Sequence, residues 1–374
     1  MRRLAEVDAP DFPVLSIYLD MRAHATGQSP GRRASLTVLR DRLRQIERTY
    51  GPRGDDFDSF TADEERLRRF LDNTFDPAAH GLAVFACSAI DLWETIETGV
   101  PFRDSVSVGQ MADLFQLARL IDEHETAVIA LVDSNTARLF VTRTGRLEEE
   151  SGPDEKNASF QKRAMGGWSQ ARYQRHIDKH MVDFASRSAA AIEELVDREN
   201  ARRVIVAGDE VAITPLLDAL SPAVRTHVED VLRVDMRVSR DELRDEVRMV
   251  LERAEAESGA TVADQVIGAF RSGGLGIVGF ERTRRALEAG AVDVLVLAGL
   301  PGTPPDVSDA HDARNLEERG EVSDEQAKDG IDLDQRNELV RLAAATSADI
   351  EVVSGHAALE QAEGVGALLR YHIE

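Results

Sequence analysis

Short apolar runs rich in β-branched residues alternate with longer segments of helical periodicity along the whole chain. Residues 14–19 predict a strand. In residues 32–50 an apolar residue recurs at every third or fourth position, the spacing of a helix that buries one face. Residues 292–298 form another run typical of a buried strand. This alternation predicts a mixed α/β (α+β) fold, and 374 residues, at ~150 per domain, predict two or three domains.

The order of the predicted elements divides the chain into three consecutive α/β domains. We expect an N-terminal domain over residues 1–122, a middle domain over 123–236, and a C-terminal domain over 237–374 that contains an acidic insertion at 301–334. In the middle domain, two β-rich runs joined by Asp133-Ser-Asn-Thr136 predict a hairpin, because Asp, Ser and Asn favour turns.

Boundary signals place several helix ends. Thr61-Ala-Asp-Glu64 has the pattern of a capping box and predicts a helix start, and Ser239-Arg-Asp-Glu242 predicts another helix, which closes near Gly259. A helix linking the first two domains is expected near residues 108–121. The acidic residues between 148 and 155 predict a loop.

The chain carries 45 basic and 68 acidic residues, and its net charge of −23 excludes a protein that coats nucleic acid through a uniformly basic surface. The charge is unevenly distributed, however. Residues 31–50 and residues 161–187 each hold an excess of four positive charges, whereas residues 301–334 hold an excess of eight negative charges. Local binding of RNA through a basic segment therefore stays open.

The single cysteine, Cys87, excludes an intramolecular disulfide and a cysteine-based zinc site, and its apolar neighbours predict a buried core thiol. No apolar run reaches the ~18 residues of a membrane span, and the first residues are too polar and acidic for a secretory signal. We therefore expect a cytoplasmic protein without membrane contact.

The most unusual segment runs from Lys162 to His176 and contains Gly166-Gly167-Trp168-Ser-Gln170. Paired glycines permit positive φ angles and a close approach to another molecule. They directly precede a long helix, expected from about Gln170 to Asn200, and the amides at a helix N-terminus favour phosphate.

On that helix Arg172, Arg175, His176 and Lys179 are spaced to share one face, while apolar residues between positions 177 and 195 fall on the opposite side. A solvated basic face beside a flexible loop explains this composition equally well. Trp168 favours a binding role instead, because an indole on a Gly-Gly loop can stack on a base.

The segment resembles the loop and the following helix of the middle domain of archaeo-eukaryotic class I peptide chain release factors, in which Gly-Gly-Gln precedes a basic helix. Two later stretches are also similar to that family. In residues 277–298 a helix ending in Ala-Gly-Ala-Val-Asp leads into a strand, and residues 363–371 carry glycines before a last strand. Over about residues 125–374 the chain resembles the divergent bacterial and archaeal branch of this superfamily.

The resemblance implies three domains like the N, middle and C domains of these factors, a monomer, and the ribosome as partner through rRNA and the P-site tRNA. It assigns catalytic roles to Gly166, Gly167 and Gln170. It assigns RNA contacts to Lys162, Arg163, Trp168, Arg172, Arg175 and Lys179. Delivery by a translational GTPase stays open, and no cofactor or metal is implied.

The sequence departs from the family in two ways. Trp168 occupies the position of the family's glutamine and Gln170 follows two residues later, and residues 1–122 contain no Asn-Ile-Lys-Ser type codon-reading motif. Codon-specific termination is therefore not expected. Three alternatives remain: hydrolysis of peptidyl-tRNA in ribosome rescue or quality control, non-catalytic occupancy of the A site in hibernation or stalled-ribosome recognition, and an unrelated cytosolic α/β protein whose loop only resembles the motif.

Other motifs are weaker. Residues 274–279 satisfy G-x-G-x-x-G, but residues 261–271 read as helix, whereas a dinucleotide-binding fingerprint must follow a strand. His176 and His180 are spaced for zinc but lack a following Glu and an evident third ligand. No G-x-S-x-G elbow or P-loop occurs, and the acids of 301–334 lack EF-hand spacing.

Overall fold

The computed structural model describes residues 1–7, 9, 11–23, 31–49, 54–153, 168–299 and 331–373, and for residues 168–180 it describes the backbone alone. The predicted mixed α/β fold is confirmed, with three sheets of four, five and four strands among these residues. Most of the predicted acidic insertion at 301–334 lies outside them. No helix among the described residues is long and apolar enough to cross a membrane.

By internal contacts the chain divides into two compact units. One unit combines Met1–Glu123 with Glu255–Glu374, and the other is His124–Ala254. The division into three domains at 1–122, 123–236 and 237–374 stays a prediction.

The N-terminal part of the first unit is an antiparallel sheet in the order β3-β2-β1-β4. Its strands are β1 (Val14–Asp20), β2 (Gly81–Cys87), β3 (Leu92–Thr98) and β4 (Ser105–Gly109). Its helices are α1 (Arg2–Ala5), α2 (Gly31–Glu47), α3 (Asp55–Asn73), a short 3-10 turn (Ser88–Ile90) and α4 (Phe115–Glu123). The apolar sides of α2 and α3 pack with the sheet into one cluster that includes Leu39, Leu43, Phe60 and Leu67. Cys87 is buried, as predicted.

Two sequence-based boundaries in this part are wrong. Helix α3 begins at Asp55 rather than at Thr61, since three acidic residues in its first turn favour the positive end of the helix dipole there. Thr61 instead donates its hydroxyl to the carbonyl of Phe57 at 2.8 Å. The predicted helix at 108–121 starts only at Phe115, and residues 105–109 form edge strand β4, whose Val and Ser alternate with the period of two of a strand.

The C-terminal part of the first unit contains a sheet in the order β10-β13-β11-β12. Its strands are β10 (Gly276–Val278), β11 (Val292–Ala298), β12 (Asp349–Val353) and β13 (Val365–Leu369). Helices α9 (Phe280–Glu288), α10 (Leu333–Thr346) and α11 (Ala357–Glu360) accompany it. Strand β13, which belongs to the glycine-containing stretch 363–371, is thus an inner strand of this sheet. Gly366 is required there, because a Cβ would lie 2.8 Å from Val266 Cγ1 and 3.0 Å from the carbonyl oxygen of Ile277.

The second unit is built on a sheet in the order β7-β6-β5-β8-β9. Its strands are β5 (Ala127–Val132), β6 (Ala137–Arg143), β7 (Arg146–Glu150), β8 (Arg203–Gly208) and β9 (Val228–Leu232). Its helices include α5 (Trp168–Glu199), α6 (Glu210–Ala219) and α7 (Pro222–Arg225). The predicted hairpin is confirmed as β5–β6. The loop predicted from residue 148 is wrong for Glu148–Glu150, which extend edge strand β7 beside β6. Their side chains form ion pairs with Arg138 and Arg143 of β6, which lie diagonally across from them.

Helix α8 (Arg240–Arg271) contains the boundary between the two units. The predicted cap is confirmed: the Glu242 amide donates to Ser239 Oγ at 3.2 Å and the Ser239 amide donates to Glu242 Oε2 at 3.0 Å. The predicted end near Gly259 is wrong, because the helix is 32 residues long and ends at Arg271. A Cβ at Gly259 would lie 3.3 Å from Val353 Cγ2. This glycine therefore permits close packing of α8 against β12 and does not end the helix.

Residues from both ends of the chain share one core in the first unit. Phe115 and Leu117 of α4 lie in the same buried cluster as Leu339 and Val340 of α10. Asn337 joins the two segments with its side-chain amide, which accepts from the Leu114 amide at 2.7 Å and donates to the Ala112 carbonyl at 3.1 Å. The guanidinium of buried Arg336 lies 5.7 Å from the ring centre of Phe115.

Three carboxyl groups form a second contact between these segments. Ligand-type oxygens of Asp122, Glu255 and Glu351 lie within 4.8 Å of one another. Asp122 Oδ2 accepts a hydrogen bond from the Val352 amide at 2.6 Å, which ties α4 to β12. Burial, followed by the charges of Glu351 and Glu255, raises the pKa of Asp122 to about 9. The Asp122 carboxyl group is therefore protonated at neutral pH.

Replacing Asn337 tests the joint between the chain ends. Asn337→Ala leaves the amide of Leu114 and the carbonyl of Ala112, both in buried residues, without this partner, so the free energy of unfolding should fall by about 1–3 kcal/mol. Asn337→Asp, which keeps the acceptor and loses the donor, should have a smaller effect. Urea unfolding provides the measurement, with exposed Asn73→Ala as control. An Asn337→Ala variant as stable as this control would contradict the assignment.

The carboxyl cluster predicts a specific pH dependence of stability. The pKa of Asp122 is higher in the folded than in the unfolded chain, so the folded state keeps a proton that the unfolded state loses above pH ~4. The free energy of unfolding should therefore decrease as pH rises toward 9, by at most about 1.4 kcal/mol per pH unit. Asp122→Asn keeps an acceptor for Val352 and should flatten this decline, making the variant more stable than wild type at pH 8.5.

Urea unfolding at pH 6 and pH 8.5 measures this effect, with Asp72→Asn on the exposed side of α3 as the matched control. Parallel pH profiles for wild type and Asp122→Asn would show that Asp122 does not hold the proton.

Candidate functional site

Helix α5 begins at Trp168, two residues before its expected start. It directly follows Gly166 and Gly167, the glycines to which the resemblance assigns a catalytic role. Lys162, Arg163, Gly166 and Gly167 lie outside the described residues. The remaining predicted site residues occupy the first turns of the helix, where the backbone alone is described: Trp168, Gln170, Arg172, Arg175 and Lys179. The structure thus brings these five positions onto one continuous helix of 32 residues.

The packed side of α5 is defined by its buried residues. Phe184, Ser188, Ile192 and Leu195 are all buried, and at about 100° per residue their positions lie on one side of the helix. The predicted apolar side is therefore confirmed for these residues. Continuing the same helical count backward places positions 172, 175, 176 and 179 about half a turn away. The basic positions thus lie on the side opposite the packed side.

The same count places Trp168 and Gln170 on different sides of α5. Position 168 falls on the side of the basic positions, whereas position 170 falls in line with Ser188 on the other side. In the related release factors the glutamine directly follows the glycines. Here the tryptophan takes both that place in the sequence and the basic side of the helix.

The N-terminus of α5 favours anions. Its first turn contains no acidic residue, and the first backbone amides of any α-helix lack partners within the helix. These amides and the helix dipole attract phosphate groups. The basic positions that follow extend the same preference along the helix.

The C-terminal end of α5 is held to the sheet by a network of ion pairs. Arg143 of β6 lies 2.8 Å from Glu199, and Arg198 lies 2.9 Å from Glu150 of β7 and 3.0 Å from Glu199. Hydrogen bonds from Arg143 and then Arg198 lower the pKa of Glu199 to about 2. The local sequence pattern does not reveal this network. The diagonal positions of Arg143 and Glu148 across the strand pair indicate it only once residues 146–150 are recognised as a strand.

A crevice lies between α5 and α6 at the carboxyl end of β5. It is partly open to solvent and is lined mainly by apolar side chains such as Phe184 and Leu216. Ser188 also lines it, and its buried hydroxyl has no hydrogen-bond partner among the described residues. An ordered water would satisfy this hydroxyl. Among the described lining residues Asp133 carries the single titratable side chain, so they offer no pair of groups for acid–base chemistry.

Among the described residues, the other motifs from the sequence do not form a second functional site. Asp122, Glu255 and Glu351 are the right residue types for a cation, but the raised pKa of Asp122 weakens it as a ligand. The prediction that a helix rather than a strand precedes residues 274–279 is confirmed, because α8 ends at Arg271 and β10 begins inside the motif. The side chains of His176 and His180 lie outside the described ones.

Comparison with known proteins identifies relatives. Residues 113–258 match the family described as bacterial archaeo-eukaryotic release factor family 10, which includes the Gly-Gly-Trp-Ser-Gln segment but less than half of the chain. No curated protein matches. The two later stretches that resemble the superfamily, at 277–298 and 363–371, lie beyond the matched residues.

Several solved structures are similar at low identity. The archaeal translation termination factor aRF1 is 16% identical, with 99% of this chain and 95% of that chain covered and a TM-score of 0.26. Archaeal Pelota, described as ribosome-bound with ABCE1, is 18% identical over 75% of this chain and 73% of its own, with a TM-score of 0.42. Dom34 of S. cerevisiae, described as a termination-like factor that interacts with Hbs1, is 11% identical over 80% and 83%, with a TM-score of 0.43.

The resemblance found in the sequence is thus confirmed: this chain is similar to the bacterial branch of the archaeo-eukaryotic release factor superfamily, and its residues 113–258 match family 10 of that branch.

Proposed function

We propose that this protein is a cytoplasmic, ribosome-associated, release-factor-like protein that hydrolyses the ester bond of peptidyl-tRNA in ribosome rescue or quality control. Codon-specific termination is not part of the proposal. The supporting observation is the Gly-Gly-Trp-Ser-Gln segment, which lies within the residues that match the release factor family. Its tryptophan is the first residue of the 32-residue helix α5. The sheet and ion pairs at the other end of the helix give that helix a fixed base.

The basic side of α5 would provide binding. Arg172, Arg175 and Lys179, preceded by Lys162 and Arg163, would contact phosphates of rRNA or P-site tRNA. Guanidinium groups suit this role because they donate two parallel hydrogen bonds to a phosphate. The net charge of −23 would repel RNA elsewhere, so these contacts would also determine orientation.

The loop would carry the chemistry. Gly166 and Gly167 would let the backbone approach the ester, and Gln170 would hold a water molecule against its carbonyl carbon. Water adds to that carbon, the bond to the ribose oxygen breaks, the peptide leaves as a carboxylic acid, and the ribose oxygen takes a proton. A neutral amide is not a general base, so Gln170 would contribute by positioning alone. Position 170 lies on the side of α5 opposite the basic positions, so water and phosphates would be held on different sides of the first turn.

A non-catalytic function is the second candidate, and the position of Trp168 favours it. Trp168 replaces the family's glutamine and shares the basic side of the helix. An indole there would stack on an RNA base, and the protein would occupy the A site of hibernating or stalled ribosomes without cleaving the ester.

Peptide release from ribosomes with peptidyl-tRNA in the P site separates the two candidates. If the protein is a hydrolase, Gln170→Ala should reduce release by about 10–1000-fold while ribosome binding stays nearly unchanged, since one positioning group is lost. Gly167→Ala should reduce release as well, because a Cβ restricts the close approach. Trp168→Ala should mainly weaken binding, by ~1–3 kcal/mol for one stacked base.

Wild-type protein that saturates these ribosomes and releases no more peptide than buffer would exclude the hydrolase and leave the binding factor. Wild-type protein that does not cosediment with ribosomes would exclude both.

Salt dependence tests the basic side of α5. Arg172→Ala with Arg175→Ala should weaken ribosome association and lower the slope of log K against log salt by about 1–2, since each lost phosphate contact removes ~0.7–0.9. The exposed pair Arg237→Ala with Arg285→Ala removes the same charge elsewhere and should leave the slope nearly unchanged. Equal slopes for wild type and the Arg172/Arg175 variant, with the fold intact by circular dichroism, would remove these residues from the interface.

A further inference from the structure

Helix α2 presents a second group of arginines to solvent. Arg33, Arg40, Arg44 and Arg48 are all exposed, whereas Arg32 is drawn inward with its guanidinium 4.7 Å from the ring centre of Phe75. At about 100° per residue, positions 33, 40 and 44 lie within ~40° of one another around the helix axis. We call Arg33, Arg40 and Arg44 the α2 arginine row; it spans ~16 Å along the helix at 1.5 Å per residue.

The arginines of this row are not engaged by strong ion pairs. Among the described residues, Arg33 and Arg40 form no ion pair, and Arg44 approaches the equally exposed Asp41 only at 3.8 Å. Several other guanidinium groups are paired more closely, as in Arg253–Asp230 at 2.7 Å and Arg138–Glu149 at 2.8 Å. In a chain with 68 acidic and 45 basic residues, three arginines along one line without close carboxylate partners are a local positive surface.

The other side of α2 argues against a membrane as the partner. Leu39 and Leu43 are buried in the core of the first unit, where they pack with Phe60 and Leu67 of α3. A helix that lies in a membrane surface needs its apolar side free for the lipid. The α2 arginine row therefore offers charge and hydrogen-bond donors without an apolar anchor, which is the chemistry of a phosphate backbone contact.

We propose that the α2 arginine row is a second RNA-binding surface, remote in sequence from the α5 segment, and that it contacts backbone phosphates rather than bases. The identification of that RNA as ribosomal rests on the proposed function. A contact to phosphates carries no sequence information, so this surface positions the protein on its RNA and does not read a codon.

Three matched triple variants test the proposal. Replacing all three residues of the row by glutamine removes the charge and keeps good helix formers. Replacing them by lysine keeps the charge. A control, Arg69→Gln with Arg237→Gln and Arg285→Gln, removes the same charge from exposed positions elsewhere. Circular dichroism and urea unfolding establish that all three fold.

Binding is measured by cosedimentation with ribosomes, and by fluorescence anisotropy with a protein-free rRNA fragment, at several salt concentrations. The glutamine variant should bind both about 10–100-fold more weakly at low salt and lower the slope of log K against log salt by about 2–3. The lysine variant should keep the wild-type slope, and the control should stay within about threefold of wild type.

The outcomes separate this proposal from the proposed function. If wild type binds ribosomes and the glutamine variant binds them equally well, the α2 arginine row is not an RNA surface, although ribosome association stands. If the row is required for ribosomes but not for the rRNA fragment, its partner is a ribosomal protein and the proposal is wrong. If wild type does not bind ribosomes but binds the rRNA fragment through the row, the proposed function fails and the RNA surface stands. Binding to phosphatidylglycerol–phosphatidylcholine vesicles through the row, without binding to RNA, would also overturn the proposal.

Discussion

The parallel pairing of β5 with β8 determines where helix α5 can lie. The two strands pair in register from Ala127–Arg203 to Val132–Gly208, with the hairpin strands β6 and β7 on the other side of β5. Parallel neighbours need a long crossover connection, and α5 with the hairpin makes up most of that connection here. Because the crossover must cover the sheet, Phe184, Ile192 and Leu195 are buried against it. By the helical count, the basic positions consequently fall on the side opposite the packed side.

Charge is divided between structure and binding in an acidic chain. Arg143, Arg198 and Arg138 each pair with glutamates of β7 or the end of α5, and this network attaches the helix to its sheet. Among the described residues the α2 arginine row has no comparable partners, and its residues are exposed. Carboxylate neighbours together with alignment along one side of a helix, rather than the local net charge of a segment, thus distinguish the row from the arginines that stabilise the fold.

The first unit is assembled from the two ends of the chain. Asn337 and Arg336 of α10 reach the segment around Phe115, and Asp122 accepts from the amide of Val352. The contact between Asp122 and β12 contains a carboxyl group that is protonated at neutral pH and loses its proton at high pH. Stability of the N-terminal segment and stability of the C-terminal sheet should therefore respond together to a change at either side.

Local patterns in the sequence determined a large part of the fold. Apolar periodicity predicted β1, the β5–β6 hairpin, β8, β11 and the packed side of α5, because each of these signals is contained within a few neighbouring residues. The cap at Ser239–Glu242 was predicted for the same reason. The family resemblance likewise came from three short stretches, and the position of Trp168 after the glycines already separated this chain from the usual Gly-Gly-Gln pattern.

Tertiary structure decided what depends on distant residues. Residues 146–150 form an edge strand that pairs with β6, where Arg138 and Arg143 form ion pairs with its glutamates. Helix α8 continues through Gly259, where Val353 of β12 packs closely. Neither partner is visible from the local pattern. The contacts of Asn337 and Asp122 join residues more than 220 positions apart, and the exposure of the α2 arginine row depends on which side of α2 the sheet buries. Sequence alone determined most of the helices and strands and which segments carry charge. Long-range packing decided the remaining boundaries, and it decided which of those charges are neutralised and which face solvent, because these depend on residues far apart in the chain.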